Sequence, residues 1–152
     1  KLLRFGRFAS RDSARACEGV PGTFDFLGFT HYCGRSRAGR FKLKRRTSKK
    51  KFRSKLSDLK GWFKSQLSVG QAAVWRTLNS KLRGHYQYYG VTDNWDALMV
   101  FREAARCMAK RWLNRRSQAT NINWSDYGAY CTRHPLASPT RLTDLIAMSR
   151  GN

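Results

Sequence analysis

The spacing of the apolar residues changes once along this chain, at Thr47, and the change limits the folds open to it. Before Thr47, apolar and polar residues alternate in places with the two-residue period of a β-strand. After it, apolar residues recur every three or four positions, which is the period of an amphipathic helix. The pattern predicts an α+β protein, mostly α, in which an N-terminal β-hairpin precedes a bundle of three to four helices.

Two segments rich in β-forming residues, 23–32 and 40–46, predict the strands of the hairpin. The glycine-containing segment 34–39 between them is suited to a turn. In the second segment Phe41 and Leu43 share one face, whereas Lys42 and Lys44 share the other. The hairpin is therefore expected to have one buried face and one basic face. Residues 1–8 also have the content of a strand.

Helical spacing and capping residues predict four helices. The first is expected at 49–66 after a Ser48 cap, and the second ends near Gly90. A capping signal at Thr92–Asn94 opens the third. The fourth begins at Asn123 or Ser125 and is ended by prolines 135 and 139. The residues expected to face the core are Phe52, Leu56, Leu59 and Phe63, then Val74, Leu78, Leu82, His85 and Tyr89, then Leu98, Phe101, Ala105, Met108 and Trp112.

The charge of the chain constrains its partners, because 31 Lys and Arg face only 9 Asp and Glu, a formal net charge of +22. Such a charge opposes compaction and calls for a polyanion to neutralise it. Aromatic residues make up 13% of the chain and include five Trp. Cations together with aromatic rings favour RNA, whose unpaired bases stack on rings. No apolar run approaches the roughly 18–20 residues of a membrane span, so no membrane partner is expected.

The densest charge lies between residues 35 and 64, where 14 Lys and Arg accompany a single acid, Asp58. A helix surface that is merely solvated usually mixes both signs to gain ion pairs. This segment therefore favours nucleic-acid binding over a solvated face. The candidate RNA-binding residues in it are Lys42, Lys44, Arg45, Arg46, Lys49, Lys50, Lys51, Arg53 and Lys55.

Two further basic strips lie on the second and third predicted helices. On the second, Leu82, Tyr86 and Tyr89 are expected to face inward. Gly84 interrupts this helix at a cost of about 1 kcal/mol relative to Ala, which either close helix packing or close approach of an RNA backbone would explain. The third strip comprises Arg106, Lys110, Arg111, Arg115 and Arg116, and it could equally be a generic positive face. The candidate RNA-binding residues of the two strips are Lys81, Arg83 and Tyr88, then Arg111, Arg115 and Arg116.

No catalytic or metal site is predicted in this chain. Two-metal catalysis needs clustered carboxylates that hold the ions about 3.5–4 Å apart. Among the acids only Asp93 and Asp96 are close in sequence, and both stand at a predicted helix start, where capping accounts for them. The four cysteines have no zinc-binding spacing; His31 and Cys33 come nearest, and two ligands are not four. Free thiols in a reducing cytoplasm are expected.

A family resemblance begins at Phe24-Asp25-Phe26-Leu27-Gly28-Phe29-Thr30-His31-Tyr32. This string resembles the last reverse-transcriptase block of bacterial group II intron proteins. Residues 33–41 and 44–47 resemble its continuation, and residues 4–9 resemble the strand before it. Downstream, residues 78–91 are similar to the core of the maturase-specific domain, whose later part resembles residues 112–118 and Trp124. The resemblance is collinear over nearly the whole chain.

The resemblance implies a primer grip, which orients the 3′ end of the primer, at Phe26, Leu27, Gly28 and Phe29. It implies that residues 1–46 are the end of the palm and that 47–146 form the thumb, or domain X, with a tail at 147–152. In the family, the thumb clamps the template–primer duplex and binds intron RNA during splicing. The fingers, and the Tyr-x-Asp-Asp motif of the palm, would precede Lys1. The chain alone is therefore expected to be inactive, with Mg²⁺ held only by the palm of its parent RNA-directed DNA polymerase.

The partners implied are group II intron RNA, an RNA template with a DNA primer, and the missing fingers and palm of the same protein; a homodimer is left open. No HNH endonuclease follows, as in the intron proteins that lack one, unless the chain was truncated. The first alternative is a stand-alone maturase-like splicing factor or a degenerate remnant. The second is a structural ribosomal or nucleoid protein. The expected location is the bacterial cytoplasm, in association with nucleic acid.

Overall fold

The computed structural model describes residues 5–6, 8–9, 22–36, 38–117, 121–140 and 143. The chain divides into two compact units, residues 1–51 and 52–152. The elements follow the order predicted from the sequence, a small antiparallel sheet and then four helices. They are β1 (Phe24–Phe26), β2 (Phe29–Arg35), β3 (Phe41–Thr47), α1 (Lys49–Ser65), α2 (Gln71–Tyr89), a 3-10 turn (Thr92–Asn94), α3 (Trp95–Arg116) and α4 (Trp124–Arg133).

The sheet has three antiparallel strands in the order β1-β2-β3. The prediction of one continuous strand over residues 23–32 is wrong, because Leu27 and Gly28 form a two-residue turn between β1 and β2. Both turn residues have positive φ, 48° and 81°, as the two-residue hairpin turn that matches strand twist requires. The hairpin predicted from the sequence is the β2–β3 pair, which runs from Phe29 opposite Thr47 to Arg35 opposite Phe41.

The register gives the sheet two chemically different faces. Phe24 and His31 are directly opposite on one face, where their rings stack with centroids 4.9 Å apart. The edge of Phe5 packs on Phe24 from the same unit at 4.9 Å. Tyr32 and Lys44 are opposite each other on the second face. The second face carries the expected basic residues, whereas the face expected to be buried is only partly so, because Phe41 is 40% exposed and Arg45 lies on the same face as His31.

The strand expected at residues 1–8 is not formed where the structure describes it. Neither Phe5 nor Gly6 lies in a strand, and Phe8 lies in a turn. Residues 1–4 and 7 lie outside the described residues.

Side-chain caps stand at the start of α1 and α4, whereas α2 and α3 begin without a side-chain cap, although a capping signal was predicted before α3. The Lys51 N–H donates to Ser48 Oγ at 3.4 Å, as expected of a cap for α1. At α4 the Asp126 N–H donates to Asn123 Oδ1 at 2.9 Å, so Asn123 rather than Ser125 is the cap. Before α3, the side chain of Asn94 is buried and donates through Nδ2 to the Tyr89 carbonyl at 2.9 Å. That bond joins the end of α2 to the start of α3.

The core of the second unit is built by the apolar stripes of its helices. Tyr86 and Tyr89 are buried, whereas Tyr88 is 57% exposed, as the helical spacing predicted. Trp112 is 2% exposed and its Nε1–H donates to the Gln66 carbonyl at 3.3 Å, so it is a core residue. The other buried apolar residues of the unit are Leu59, Phe63, Val74, Trp75, Leu78, Leu82, Val91, Leu98, Phe101, Ala105, Ala109, Leu113, Tyr127 and Leu136.

Residues 134–140 follow α4 and form a C-terminal strap across α2 and α3. The Trp75 indole N–H donates to the His134 carbonyl at 2.9 Å. The Tyr86 hydroxyl and the Arg102 Nε–H both donate to the Ala137 carbonyl, at 3.2 and 3.3 Å. Leu136 in the middle of the strap is buried. The strap is thus an integral part of the second unit. In the described residues, every helix is too short or too polar to cross a lipid bilayer.

Candidate nucleic-acid interface

Helix α1 carries more Lys and Arg than any other helix of the described chain. Its seven cations are all exposed, and its only acid is Asp58. Asp58 lies 3.9 Å from the Lys55 Nζ, and both side chains are more than half exposed, so the pair contributes little. The cations are Lys49, Lys50, Lys51, Arg53, Lys55, Lys60 and Lys64.

The first turn of α1 places positive charge where a helix least favours it. Lys49, Lys50 and Lys51 stand at the N-terminus, the positive end of the helix dipole, and the first turn contains no acid. Each positive charge at this end of the helix opposes helix formation by a few tenths of a kcal/mol. The three lysines are therefore not explained by the stability of α1, and a bound anion would remove the penalty.

The second face of the sheet collects three of the four basic residues predicted on β3. Lys42, Lys44 and Arg46 alternate onto this face. The Arg46 guanidinium lies 5.4 Å from the centroid of the Tyr32 ring. Arg45 is different, because its position opposite His31 puts it on the apolar face. Burial and the Arg45 charge hold the pKa of His31 below its usual value.

The four predicted primer-grip residues lie together at the turn between β1 and β2. Phe26 is 60% exposed and Leu27 is 67% exposed, while Gly28 and Phe29 are half-buried. The Ser48 N–H donates to the Gly28 carbonyl at 2.9 Å, which fixes the turn to the start of α1. Leu27 has a positive φ, which costs a residue with a Cβ about 1–2 kcal/mol. Strained, exposed apolar residues of this kind occur more often at functional sites than elsewhere.

Helix α2 exposes the predicted strip of Lys81, Arg83 and Tyr88. The Lys81 Nζ lies 5.3 Å from the centroid of the Trp62 ring, so this cation is held against α1. Gly84 is exposed, and a Cβ added there would meet no described atom within 4 Å. Close helix packing therefore does not explain this glycine within the described structure.

The cations of the strip on α3 differ in exposure, and some of them contact other groups of the protein. Arg111, Arg115 and Arg116 are exposed. The Arg116 guanidinium donates to the Val69 carbonyl and lies 5.6 Å from the Trp112 ring centroid. Arg106 is neutralised, because its Nε and Nη2 donate to the two carboxylate oxygens of Glu103 at 2.8 and 2.7 Å. That bond also holds the pKa of Glu103 below its usual value.

Trp124 is an exposed aromatic residue that charge patterning did not select. Its ring is 55% exposed. The Lys110 Nζ and the Arg106 guanidinium lie 4.8 and 5.1 Å from its centroid. These cations precede Trp124 by 14 and 18 residues, from 110 and 106, on another helix. Nothing in the local sequence pattern indicates this pairing.

Two polar aromatic side chains of the second unit serve the core rather than a surface. Burial raises the pKa of Tyr86 to about 12. His85 is half-buried and stacks on Phe101, with centroids 3.8 Å apart. Burial, assisted by the charge of Lys55, lowers the pKa of His85 to about 4. His85 is therefore neutral at pH 7 and supplies no charge to a phosphate.

Acidic and metal-ligating groups do not converge within the part of the chain that the structure describes: no three His, Cys, Asp or Glu side chains are close enough to hold a metal ion. Asp93 lies in the 3-10 turn and Asp96 in the first turn of α3, where a carboxylate suits the helix dipole. Cys33, Cys107 and Cys131 are free thiols. Cys17 lies outside the described residues.

The fold is thus a basic, mostly helical protein with a small antiparallel sheet. The family model for the group II intron, maturase-specific domain matches residues 49–128, which are 80 of the 152 residues. The chain belongs to this family. The match runs from the first residue of α1 into α4 and supports a maturase function in group II intron splicing. No curated protein and no solved structure gives a significant match.

Proposed function

We propose that the chain is the RNA-binding thumb and maturase portion of a group II intron-encoded RNA-directed DNA polymerase. The observation that carries the proposal is α1, a helix inside the matched family domain that exposes seven cations and one acid. Its lysines meet phosphates of the intron RNA during splicing. The affinity of the chain for RNA should therefore fall as salt rises. For each phosphate contact, the logarithm of the binding constant falls by about 0.7–0.9 for every ten-fold rise in salt concentration.

The turn at Leu27-Gly28 acts as the primer grip in this proposal. Support comes from its exposed apolar residues and from the strained φ of Leu27. The thumb helices clamp the duplex of RNA template and DNA primer. Mg²⁺ and the catalytic carboxylates belong to the palm of the parent protein, so the chain supplied with magnesium, template and primer should incorporate no nucleotide. Any incorporation would refute that part of the proposal. The proposed location is the cytoplasm, on nucleic acid.

RNA binding by α1 is tested with two double variants that change the net charge equally. Lys49→Glu with Lys50→Glu reverses the start of α1. Arg76→Glu with Arg133→Glu reverses two exposed cations outside the predicted strips. At 100–150 mM salt, the first pair should weaken binding to folded intron RNA by at least ten-fold, and the second should change it little. Equal losses would show only a general charge effect and would contradict the assignment of α1.

Folded intron RNA is also compared with duplex DNA of similar length. A maturase should prefer the intron RNA at physiological salt, whether it acts alone or within a polymerase. A ribosomal or nucleoid protein would bind both about equally. A reading frame upstream of Lys1 that encodes Tyr-x-Asp-Asp would separate the polymerase from the stand-alone splicing factor.

A further inference from the structure

A pocket in the second unit lies between α1 and α3 and was not among the predicted sites. Its volume is about 350 Å³. Four apolar residues and four cations line the pocket, and each side contributes two of each kind. The lining residues are Lys60, Phe63, Lys64 and Leu67 from α1 and the turn after it, and Met108, Arg111, Trp112 and Arg115 from α3.

The lining of the pocket follows from helical spacing. On each side the four residues stand at positions i, i+3, i+4 and i+7, which lie on one face of a helix. Phe63 and Trp112 are buried, with ring centroids 6.4 Å apart, and make a closed apolar floor. Leu67 is 46% exposed and stands near the mouth. The indole N–H of Trp112 already donates to the Gln66 carbonyl, so the floor is apolar in character.

The charge of the pocket has one sign. Lys60, Lys64, Arg111 and Arg115 are exposed, and the lining contains no acid. The two ion pairs among the described residues, Lys55 with Asp58 and Arg106 with Glu103, use none of these four cations. An apolar partner alone would leave four cations without a role, and a small anion alone would leave the accessible apolar lining at Leu67 and Met108 without one.

We propose that this pocket takes one unpaired nucleotide of RNA. The base enters the pocket against the side chains of Leu67 and Met108, above the buried rings of Phe63 and Trp112. The phosphates on either side of it contact the cations of the rim, as unpaired RNA is bound along a cationic track. The volume is at the lower end of the range of about 300–1,000 Å³ for small-molecule sites, which suits a single nucleotide. The inference rests on the proposed RNA binding and specifies one subsite of it.

The test compares the complete chain with two labelled single-stranded RNA tetranucleotides, one intact and one abasic, by fluorescence anisotropy at 100 mM salt. Both carry the same phosphates, so a difference between them measures the base. The intact tetranucleotide should bind several-fold more tightly, because its base removes apolar surface of the pocket from water. Photo-cross-linking with 4-thiouridine should mark residues within 60–67 or 108–115, without any substitution.

Leu67→Trp fills the mouth of the pocket at an exposed position outside the core. Val100→Trp is the matched control, because Val100 is also an exposed apolar residue and lies on α3 outside the pocket. The first variant should remove the preference for the intact tetranucleotide, and the second should keep it.

The outcomes separate this subsite from RNA binding in general. Equal affinity for the two tetranucleotides, with folded intron RNA still bound, would overturn the pocket and leave the proposed function standing. The pocket would likewise be overturned if Val100→Trp removed the preference as completely as Leu67→Trp does. Failure to bind any RNA would overturn the proposed function and the pocket together.

Discussion

The side chain of Asn79 in α2 holds the backbone of Ala137 in the C-terminal strap, with the Ala137 N–H donating to Asn79 Oδ1 at 2.7 Å. The Asn79 Nδ2 donates in turn to the Pro135 carbonyl at 3.3 Å. One amide thus satisfies two backbone groups of a segment with no regular secondary structure. Asn79 belongs to the sequence string that resembles the maturase core, and its role in this structure is to fasten the strap.

Replacing Asn79 by Ala should destabilise the second unit by about 1–3 kcal/mol, because two polar backbone groups of the strap lose their partners. Asn79→Asp keeps an acceptor for the Ala137 N–H and loses the donor, so its effect should be smaller. Urea unfolding followed by tryptophan fluorescence measures both. Ser80→Ala, at the exposed neighbouring position, is the control. An Asn79→Ala variant as stable as that control would show that the strap contributes nothing.

The contribution of the core to stability can be measured at Trp112. Trp112→Ala should cost about 3–5 kcal/mol of unfolding free energy, since it removes a large buried ring between α1 and α3. Trp124→Ala is the matched comparison, because that ring is 55% exposed and should cost much less. Thermal unfolding of the two variants gives the ranking. A near-neutral effect at Trp112 would contradict its assignment to the core.

The helices could be predicted closely from the sequence because their signals are local. A 3.6-residue period and the Ser48 cap predict α1 at 49–66, and it ends at Ser65. The outward direction of Tyr88 follows from the same period. Candidate cations could be proposed from charge alone, and all those on α1, α2 and α3 are exposed.

The remaining features depend on contacts that no local pattern records. The strap joins Trp75 to His134 and Tyr86 to Ala137, pairs separated by 59 and 51 residues. The pocket between α1 and α3 needs the pairing of two particular helix faces, and each face alone is an ordinary amphipathic pattern. The residue pattern did not indicate the turn at Leu27-Gly28, because Leu rarely takes a positive φ and the turn lies within a run of β-forming residues; only the family resemblance implies a hairpin there. Arg45 is a different case, because it was grouped with its basic neighbours although the alternation that puts Phe41 and Leu43 on one face of the strand already puts Arg45 there.

Leu27→Asn should stabilise the turn relative to Leu27→Ala by about 1 kcal/mol. Both substitutions remove an exposed apolar side chain, but only Asn tolerates positive φ well, and Asn-Gly is the preferred pair for this hairpin turn. Chemical denaturation of the two variants measures the difference. Equal stabilities would mean that the backbone strain at Leu27 is negligible.

Acid should destabilise the second unit through His85 before most carboxylates titrate. Its pKa in the fold is about 4, below the ordinary value of 6.5. The unfolded chain therefore binds more protons between these values, so stability is full above pH 6.5 and falls as the pH drops towards 4. The midpoint of urea unfolding should be lower at pH 5 than at pH 7.5.

His85→Phe keeps a ring against Phe101 and removes the titration, so it should reduce that difference between the two pH values. The quantity compared is the change in the midpoint of urea unfolding between the two pH values. The absolute stability is not compared, because the new ring also changes packing. An unchanged difference would show that His85 is not the group responsible.

A substitution at Gly84 should raise the stability of α2 and weaken the binding of RNA. A methyl group added there meets no described atom within 4 Å, so Gly84→Ala should raise the unfolding free energy by about 1 kcal/mol through helix propensity. Gly128→Ala in α4 has the same free space and should stabilise similarly. If RNA approaches the bare backbone beside Arg83 and Tyr88, only the Gly84 variant should bind intron RNA more weakly. Equal RNA affinity in the two variants would remove this face of α2 from the interface.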